Sequence, residues 1–565
     1  MTINLSNLTF TNQADIIPRS GTEEITNTGT ANTLNGDDKI TGTGATPQNV
    51  LFYGLRTVGI FNKSNGKIET ENGNDEITGY GNVGIYNEFN ATIETGNGKD
   101  KITGSASQTS STSNNTIGIL NDGTIDTGSG DDEISGYATG NFPSGVVNFG
   151  NIDTGNGIDT IAGDGLSGGV SNGAGGTINT GNGDDYIIGT SIGDWGIYNG
   201  SFDESGTATI DTGNGDDRLI GTTTGNGAGI ASVLKGTINT GNGDDSIIGT
   251  GTIAGITCTE EGSIDTGSGN DIITGIGNGS GSGNGISIGS FSGSTSSKGS
   301  INTGDGNDII TGTGGIFIDT LGTIDTGAGN DTIIATNTNS GYGIVSLNAG
   351  VSISTGDGND TITSTGSAYG ILNSTNNPRP DAVGGTIDTG AGDDTITATG
   401  TGFASVGISN LGTIDTGAGN DAITGTGSFA GIYNTGTIET GTGNDTITGI
   451  GTNGFGILND STIDTGAGND IVDVLRGGFG GNGVTLLGAG SDLLQGFGSG
   501  NFDGGSGTDH LELTTGIYTI GISGATVSFT SNGLTMNTSE FEQLIAGSTT
   551  YNFTGLSNGQ TLTIA

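Results

Sequence analysis

One cysteine, Cys258, and one histidine, His510, are all that 565 residues offer of those two types. A lone thiol excludes an intrachain disulfide framework, and neither residue has the companions that a zinc cage requires. Basic residues are also scarce: 12 Lys plus Arg face 59 Asp plus Glu, for a formal charge of −47. Such a chain is repelled by phosphate, which excludes nucleic acid and anionic membrane surfaces as partners. So few cations, spread along the whole chain, form no cluster of acid, base and cation that reads as a catalytic site, and the expectation is that the protein is not an enzyme. Hydrophobic residues make up 30% and aromatics 5%, while glycine fills 120 positions. That is too little apolar surface for an ordinary globular core to offset the ordering entropy of so glycine-rich a backbone. No stretch approaches the roughly 18 consecutive apolar residues of a membrane helix, so no membrane insertion is expected. The opening segment, MTINLSNLTFTNQADIIPRS, lacks the basic and apolar regions of a secretory signal peptide.

Two situations rescue such a composition: a repetitive fold that reuses one small core, or a ligand that neutralises the charge on folding. The sequence points to both. One phrase, Ile-Asp-Thr-Gly-x-Gly-Asn/Asp-Asp-x-Ile, recurs fifteen times, as in IDTGSGDDEI (125–134), INTGNGDDYI (178–187) and IETGTGNDTI (438–447). Its first residue falls between Ile68 and Ile463 at spacings of 23 to 37 residues, and a weaker copy, TLNGDDKITG, lies at 33–42. A second phrase, Gly-Ile-x-Asn, precedes many copies, for example GIYN (84–87), GILN (118–121) and GILN (456–459). Each repeat therefore holds three short β-prone pieces separated by Gly, Asn, Asp and Thr, and none has the length or period of a helix. Three short strands in roughly 25 residues make one coil of a three-faced stack, with successive coils about 4.8 Å apart. The fold class expected is all-β: a right-handed parallel β-helix, or β-solenoid, of about 15 coils. Extra residues at 276–299 and 374–385 read as corner bulges. Stacking would align Asn87, Asn121, Asn148, Asn199, Asn373, Asn410, Asn434 and Asn459 into an amide ladder along one corner.

The acidic turn resembles the nonapeptide of RTX, or hemolysin-type calcium-binding, proteins, Gly-Gly-x-Gly-x-Asp-x-apolar-x. Thr-Gly-Ala-Gly-Asn-Asp-Thr-Ile-Ile (326–334) matches at every position but the first, and Gly504-Gly505-Ser506-Gly507-Thr508-Asp509-His510-Leu511-Glu512 follows the full pattern. The resemblance runs from about residue 33 to 512. It implies multiple Ca²⁺ ions held between stacked turns. Gly128, Gly130, Gly327, Gly329, Gly417, Gly419, Gly505 and Gly507 would turn carbonyls toward the ion, and the Asp of each turn would supply a carboxylate. The ligands so implied are Asp38, Asp75, Asp100, Asp132, Asp159, Asp185, Asp217, Asp245, Asp271, Asp308, Asp331, Asp360, Asp394, Asp421, Asp445, Asp470, Asp492 and Asp509. A β-roll of that family has two such turns per coil; this repeat has one, so a single column along one edge is expected. Carboxylates stacked at that spacing repel by roughly 3–4 kcal/mol per neighbour at an effective dielectric near 20. Fourteen or so ions between fifteen turns would cancel about 28 charges, so the apo chain is expected to be expanded and the Ca²⁺-loaded chain folded.

The chain then divides into an N-terminal cap (1–32), a β-solenoid (33–475), RTX-like β-roll coils (476–512), and a C-terminal antiparallel β cap with an uncleaved secretion signal (513–565). The resemblance implies type I export to the cell surface or medium, with folding on extracellular Ca²⁺. A structural or cell-surface component is the leading reading, with surface polysaccharide or further copies of itself as partners. An adhesin for a glycan is the first alternative. A polysaccharide-modifying β-helix is a second. An ice-binding solenoid is the third, weakened because the turn position that should be a Thr rank holds Asn97, Ser129, Asn182, Ala328, Asp357 and Ala418.

Overall fold

The protein is described from a computed structural model covering 2–18, 23–45, 47–50, 54–107, 115–140, 142–201, 206–279, 283–289, 298–339, 341–375 and 384–565. The bulges expected at 276–299 and 374–385 lie in part outside these residues, and nothing is said of that part. The chain forms two compact units, one of Met1–Ser287 with Gly299–Gly304 and one of Ile288–Lys298 with Asp305–Ala565. Each is a parallel β-helix with three sheets.

Within the first unit, one coil consists of Val83–Asn87, Thr92–Glu94 and Lys101–Ser107, and the next of Ile117–Asn121, Thr124–Asp126 and Glu133–Thr139. Equivalent residues pair in parallel: Ile85 with Ile119, Ile93 with Ile125, Ile102 with Ile134. All six are fully buried. The second unit repeats the plan, with Ile408 on Ile432, Ile414 on Ile438 and Ile423 on Ile447. The GIxN, TID and ITG phrases are thus the first, second and third sheets. The Ile of each forms an internal ladder, so a thin core is reused at every coil. The first and third sheets meet closely: a Cβ on Gly104 would fall inside contact distance of the Gly118 carbonyl. Glycine is required there by space.

The amide ladder is present in the corner between the first and second sheets. Asn87 Nδ2 donates to Asn121 Oδ1 at 2.8 Å, and Asn121 donates to Asn148 at 2.8 Å. The ladder also includes Asn27, Asn62 and Asn172. In the first unit it ends where Asn199 pairs with Ser232 and Ser232 with Cys258, a fully buried free thiol. In the second unit it runs from Asn373 through Asn410 and Asn434 to Asn459. The leading rungs, Asn27 and Asn373, keep an Oδ1 with no partner, as a one-way chain of donors demands.

The stack starts earlier than the repeated phrase does. Thr2–Asn4 pairs with Glu24–Asn27 in the first sheet, Ile16–Ile17 with Lys39–Thr43 in the third, and Thr30–Asn32 with Lys67–Glu69 in the second. Backbone pairing needs no glycine signature, so residues expected as a cap join the sheets. Past Arg476, Val484–Leu486 and Gly500–Asp503 extend the second sheet, and Leu493–Gln495 and His510–Leu513 extend the third. The C-terminal segment mixes both orientations. Gly516–Ser523 is antiparallel to Thr526–Ser531 and Thr561–Ile564, whereas Leu534–Ser539 and Gln543–Ala546 add parallel strands to the second and third sheets.

Candidate metal column

The turn between second and third sheets follows from its glycines. In Thr-Gly-x-Gly-x-Asp the first and second glycines hold φ near +88 and +136 at Gly128 and Gly130, with the same pairs of values at Gly327 (84) and Gly329 (144), Gly417 (80) and Gly419 (144), and Gly505 (86) and Gly507 (148). These are conformations that side chains rarely adopt. Leu34 and Glu71 occupy the first glycine's place in the two earliest turns and take it at φ 67 and 66. The carbonyl of the first glycine accepts the next coil's N–H, as Gly96 does from Ser129 at 2.9 Å. The carbonyl of the second does not: Gly98, Gly130, Gly157, Gly183 and Gly215 receive no backbone hydrogen bond. Each lies against the α-carbon of the next coil's equivalent glycine, and so is directed along the stack.

All eighteen expected Asp residues, nine in each unit, are 0–2% exposed. Their carboxylates sit inside the coil, not on its outer edge. Oδ1 has a fixed partner: it accepts the N–H of the Asp one coil earlier. Asp185 donates to Asp217 at 2.8 Å, Asp217 to Asp245 at 2.8 Å, and Asp421 to Asp445 at 2.9 Å. Oδ2 of all eighteen is buried with no hydrogen-bond partner. An orphan carboxylate oxygen is costly to desolvate. Burial accordingly pushes the acid up, to about 7 at Asp75, Asp132, Asp185, Asp217, Asp245 and Asp492, and to about 6 at Asp159, Asp271, Asp360, Asp421 and Asp470. The neighbouring N–H opposes that shift without cancelling it.

Two rungs carry no glycine signature. Asp15 N–H donates to Asp38 Oδ1 at 2.6 Å, and Asp509 N–H donates to Glu542 Oε2 at 2.8 Å. Both stand two residues before a buried apolar residue, Ile17 and Leu544. That Asp/Glu-x-apolar spacing, shared with every other rung, was the available signal. A buried Thr column lies beside the carboxylates: Thr70 Oγ1 donates to Thr95 O at 3.2 Å and Thr440 to Thr465 O at 3.1 Å. Outside it, exposed Asn and Asp side chains tie coil to coil, as where Asp244 Oδ1 accepts the Asn270 N–H at 2.7 Å. On the second sheet's outer face Asp153, Asn179, Asp211, Asn239, Asp265 and Asn302 alternate in register. Each of these Asn amides donates to the preceding carboxylate at 3.0–3.2 Å, which separates like charges.

The column therefore offers, turn after turn, a buried carboxylate oxygen and, in all but the turn before Asp492, where Gly490 O accepts the Thr508 N–H at 3.2 Å, a carbonyl with no backbone hydrogen bond from the glycine two residues before it. Every donor is oxygen, the set preferred by hard cations such as Ca²⁺. Among the described residues no three His, Cys, Asp or Glu side chains converge as a cage, so backbone oxygens would have to supply much of any coordination shell. The columnar Asp rungs fit a cation of this kind on two counts, the orphan Oδ2 atoms and the unsatisfied carbonyls.

No protein-family model matches the chain, and no curated protein does. Among solved structures, the chain is similar to a hyperactive, Ca²⁺-dependent, β-helical antifreeze protein from an Antarctic bacterium. The identity is 16%, the match covers 76% of this chain and 91% of that one, and the TM-score is 0.32. At that level of likeness the fold rests on the strand pairing described above.

Proposed function

We propose that the protein is a secreted structural repeat protein whose Asp columns take up Ca²⁺, and that it folds on doing so. The observation that carries this reading is the row of buried Oδ2 atoms without partners. A bound dication would supply positive charge where burial penalises the carboxylates, and the Asp rungs and second-glycine carbonyls would hold it between turns. The RTX resemblance of the turns supports the same cation and an extracellular place, with type I export and folding after transport. The repeats occupy nearly the whole chain and leave no separate region with a catalytic constellation, which favours a structural or surface-coat role over an enzyme. A glycan-binding adhesin is the neighbouring alternative, with surface polysaccharide or further copies of the chain as partners.

A second reading has its own support. The Oδ1 to N–H bonds at 2.6–3.0 Å make the Asp column a hydrogen-bonded ladder that protons alone could neutralise. Far-UV circular dichroism separates the two. Titrating the purified chain with CaCl₂, then EGTA, with MgCl₂ as control, a reversible coil-to-β transition specific to Ca²⁺ is expected at pH 8. A β spectrum indifferent to chelator at that pH would leave only the ladder.

A further inference from the structure

The outer side of the third sheet in the second unit contrasts with the acidic turns beside it. Six strands, Ile309–Thr313, Thr332–Asn337, Thr361–Gly366, Thr395–Gly400, Ala422–Gly427 and Thr446–Gly451, pair in parallel with unbroken register. Their buried members include Ile310, Ile362, Ile396 and Ile447, so alternate residues face outward. In the two central strands those are Thr361, Thr363, Thr365 and Thr395, Thr397, Thr399, half-buried in the manner of a flat surface. Across the six strands fourteen of the eighteen outward positions are Thr, four are Ile or Ala, and none is charged. The six central hydroxyls make no hydrogen bond within the protein. The same face of the first unit is different: Lys39 pairs with Glu76 at 2.5 Å and Lys101 with Glu133 at 2.6 Å.

We propose that this Thr face binds ice. The strands impose a repeat of about 4.8 Å across the sheet and about 6.6 Å along each strand, so the hydroxyls stand in a regular two-dimensional array of the kind that an ordered layer of water can follow. The face spans about 24 Å by about 13 Å on those spacings. Threonine is stiff at χ1, so hydroxyl and methyl groups stand in one fixed arrangement at each point. The occupant is chosen by charge. A neutral lattice meets an uncharged patch on a chain of formal charge −47, whereas a charged partner would find no counter-charge on this face. The turn rank, mixed along Ala328, Asp357, Ala391, Ala418 and Thr442, lacks this order; the sheet beside it has it. The binding surface is independent of what neutralises the Asp columns and needs only the folded stack.

The test uses the full chain in CaCl₂, with its β spectrum recorded alongside, in ice-recrystallisation and crystal-shaping assays. The wild type is expected to shape crystals and slow recrystallisation. Thr363→Lys with Thr397→Lys, two half-exposed positions, should drop to the buffer level with the spectrum unchanged. Thr222→Lys with Ser246→Lys, on the first unit's equivalent face, should behave as wild type. Thr363→Val with Thr397→Val keeps shape and neutrality while removing the hydroxyls, and should reduce the activity without altering the fold. A wild type with no effect on ice, a Lys pair that retains full activity, or adsorption of the face to crystalline cellulose in place of ice would overturn the proposal.

Discussion

In EGTA the fold should be governed by pH, and the sign follows from burial. The Asp217 acid is held at about 7 in the folded chain, against about 3.9 for an Asp in an unfolded chain. A raised acid means the folded state binds the proton more tightly. Its contribution to stability is fully present below pH 4 and is lost as pH rises through about 7. A shift of about three units corresponds to about 4 kcal/mol for that one rung. Asp75, Asp132, Asp185, Asp245 and Asp492 are raised as far. Neighbouring rungs ionise in sequence rather than together, so the contributions do not simply add. Even so, a few ionised rungs, each costing up to about 4 kcal/mol, would consume much of the 5–15 kcal/mol stability of an ordinary domain. The expectation is a β spectrum at pH 5 in EGTA, unfolding between pH 6 and 8, and restoration at pH 8 by CaCl₂. Far-UV circular dichroism across that range is the assay. A stable β spectrum at pH 8 in EGTA would refute the reasoning, because it would mean the carboxylates ionise inside the stack at no cost.

Three further outcomes follow from single rungs. Asp217→Asn keeps an Oδ1 acceptor for the Asp185 N–H, bonded at 2.8 Å, but removes the charge. The unfolding free energy from urea denaturation should fall by about 3–5 kcal/mol in CaCl₂ at pH 8 and change by less than about 1 kcal/mol in EGTA at pH 5. Gly243→Ala places a Cβ at φ 137 against the Gly215 carbonyl, and should cost more than about 3 kcal/mol in either condition. Asn121→Ala removes a fully buried amide, with its bonds from Asn87 and to Asn148 and to the Gly123 and Asn151 carbonyls. A loss of about 2–4 kcal/mol is expected by urea denaturation, independent of calcium.

The phrase that repeats in the sequence gives away the strand order and the Asp rungs from Asp100 to Asp509, because glycine at two fixed offsets marks a turn that other residues adopt only under strain; Asp38 and Asp75 are legible from the second glycine alone, with Leu34 and Glu71 in the first one's place. The Asn corner is legible for the same reason: a polar residue at the end of an apolar strand has to find partners along the stack. Other features depend on register, which the variable loops conceal. Asp15 and Glu542 extend the Asp column without a glycine nearby. The inward aim of the carboxylates, and with it the orphan Oδ2 atoms, emerges only when consecutive turns are superposed. Thr363 and Thr397 look unremarkable as isolated letters and become a lattice only when six strands stand in register. Thr2–Asn4, Ile16–Ile17, Glu24–Asn27 and Thr30–Asn32 carry no repeat signature yet pair in the three sheets, since strand addition reads the backbone and not the side chains.

Counting tightly bound Ca²⁺ is the most direct test of the central claim: equilibrium dialysis of the full chain at pH 8 in physiological salt, followed by metal analysis. Ions on the order of one per pair of stacked rungs are expected, released on acidification through the range in which the Asp residues take up protons. Uptake of only weak, salt-displaceable counterions, with the fold intact, would contradict it.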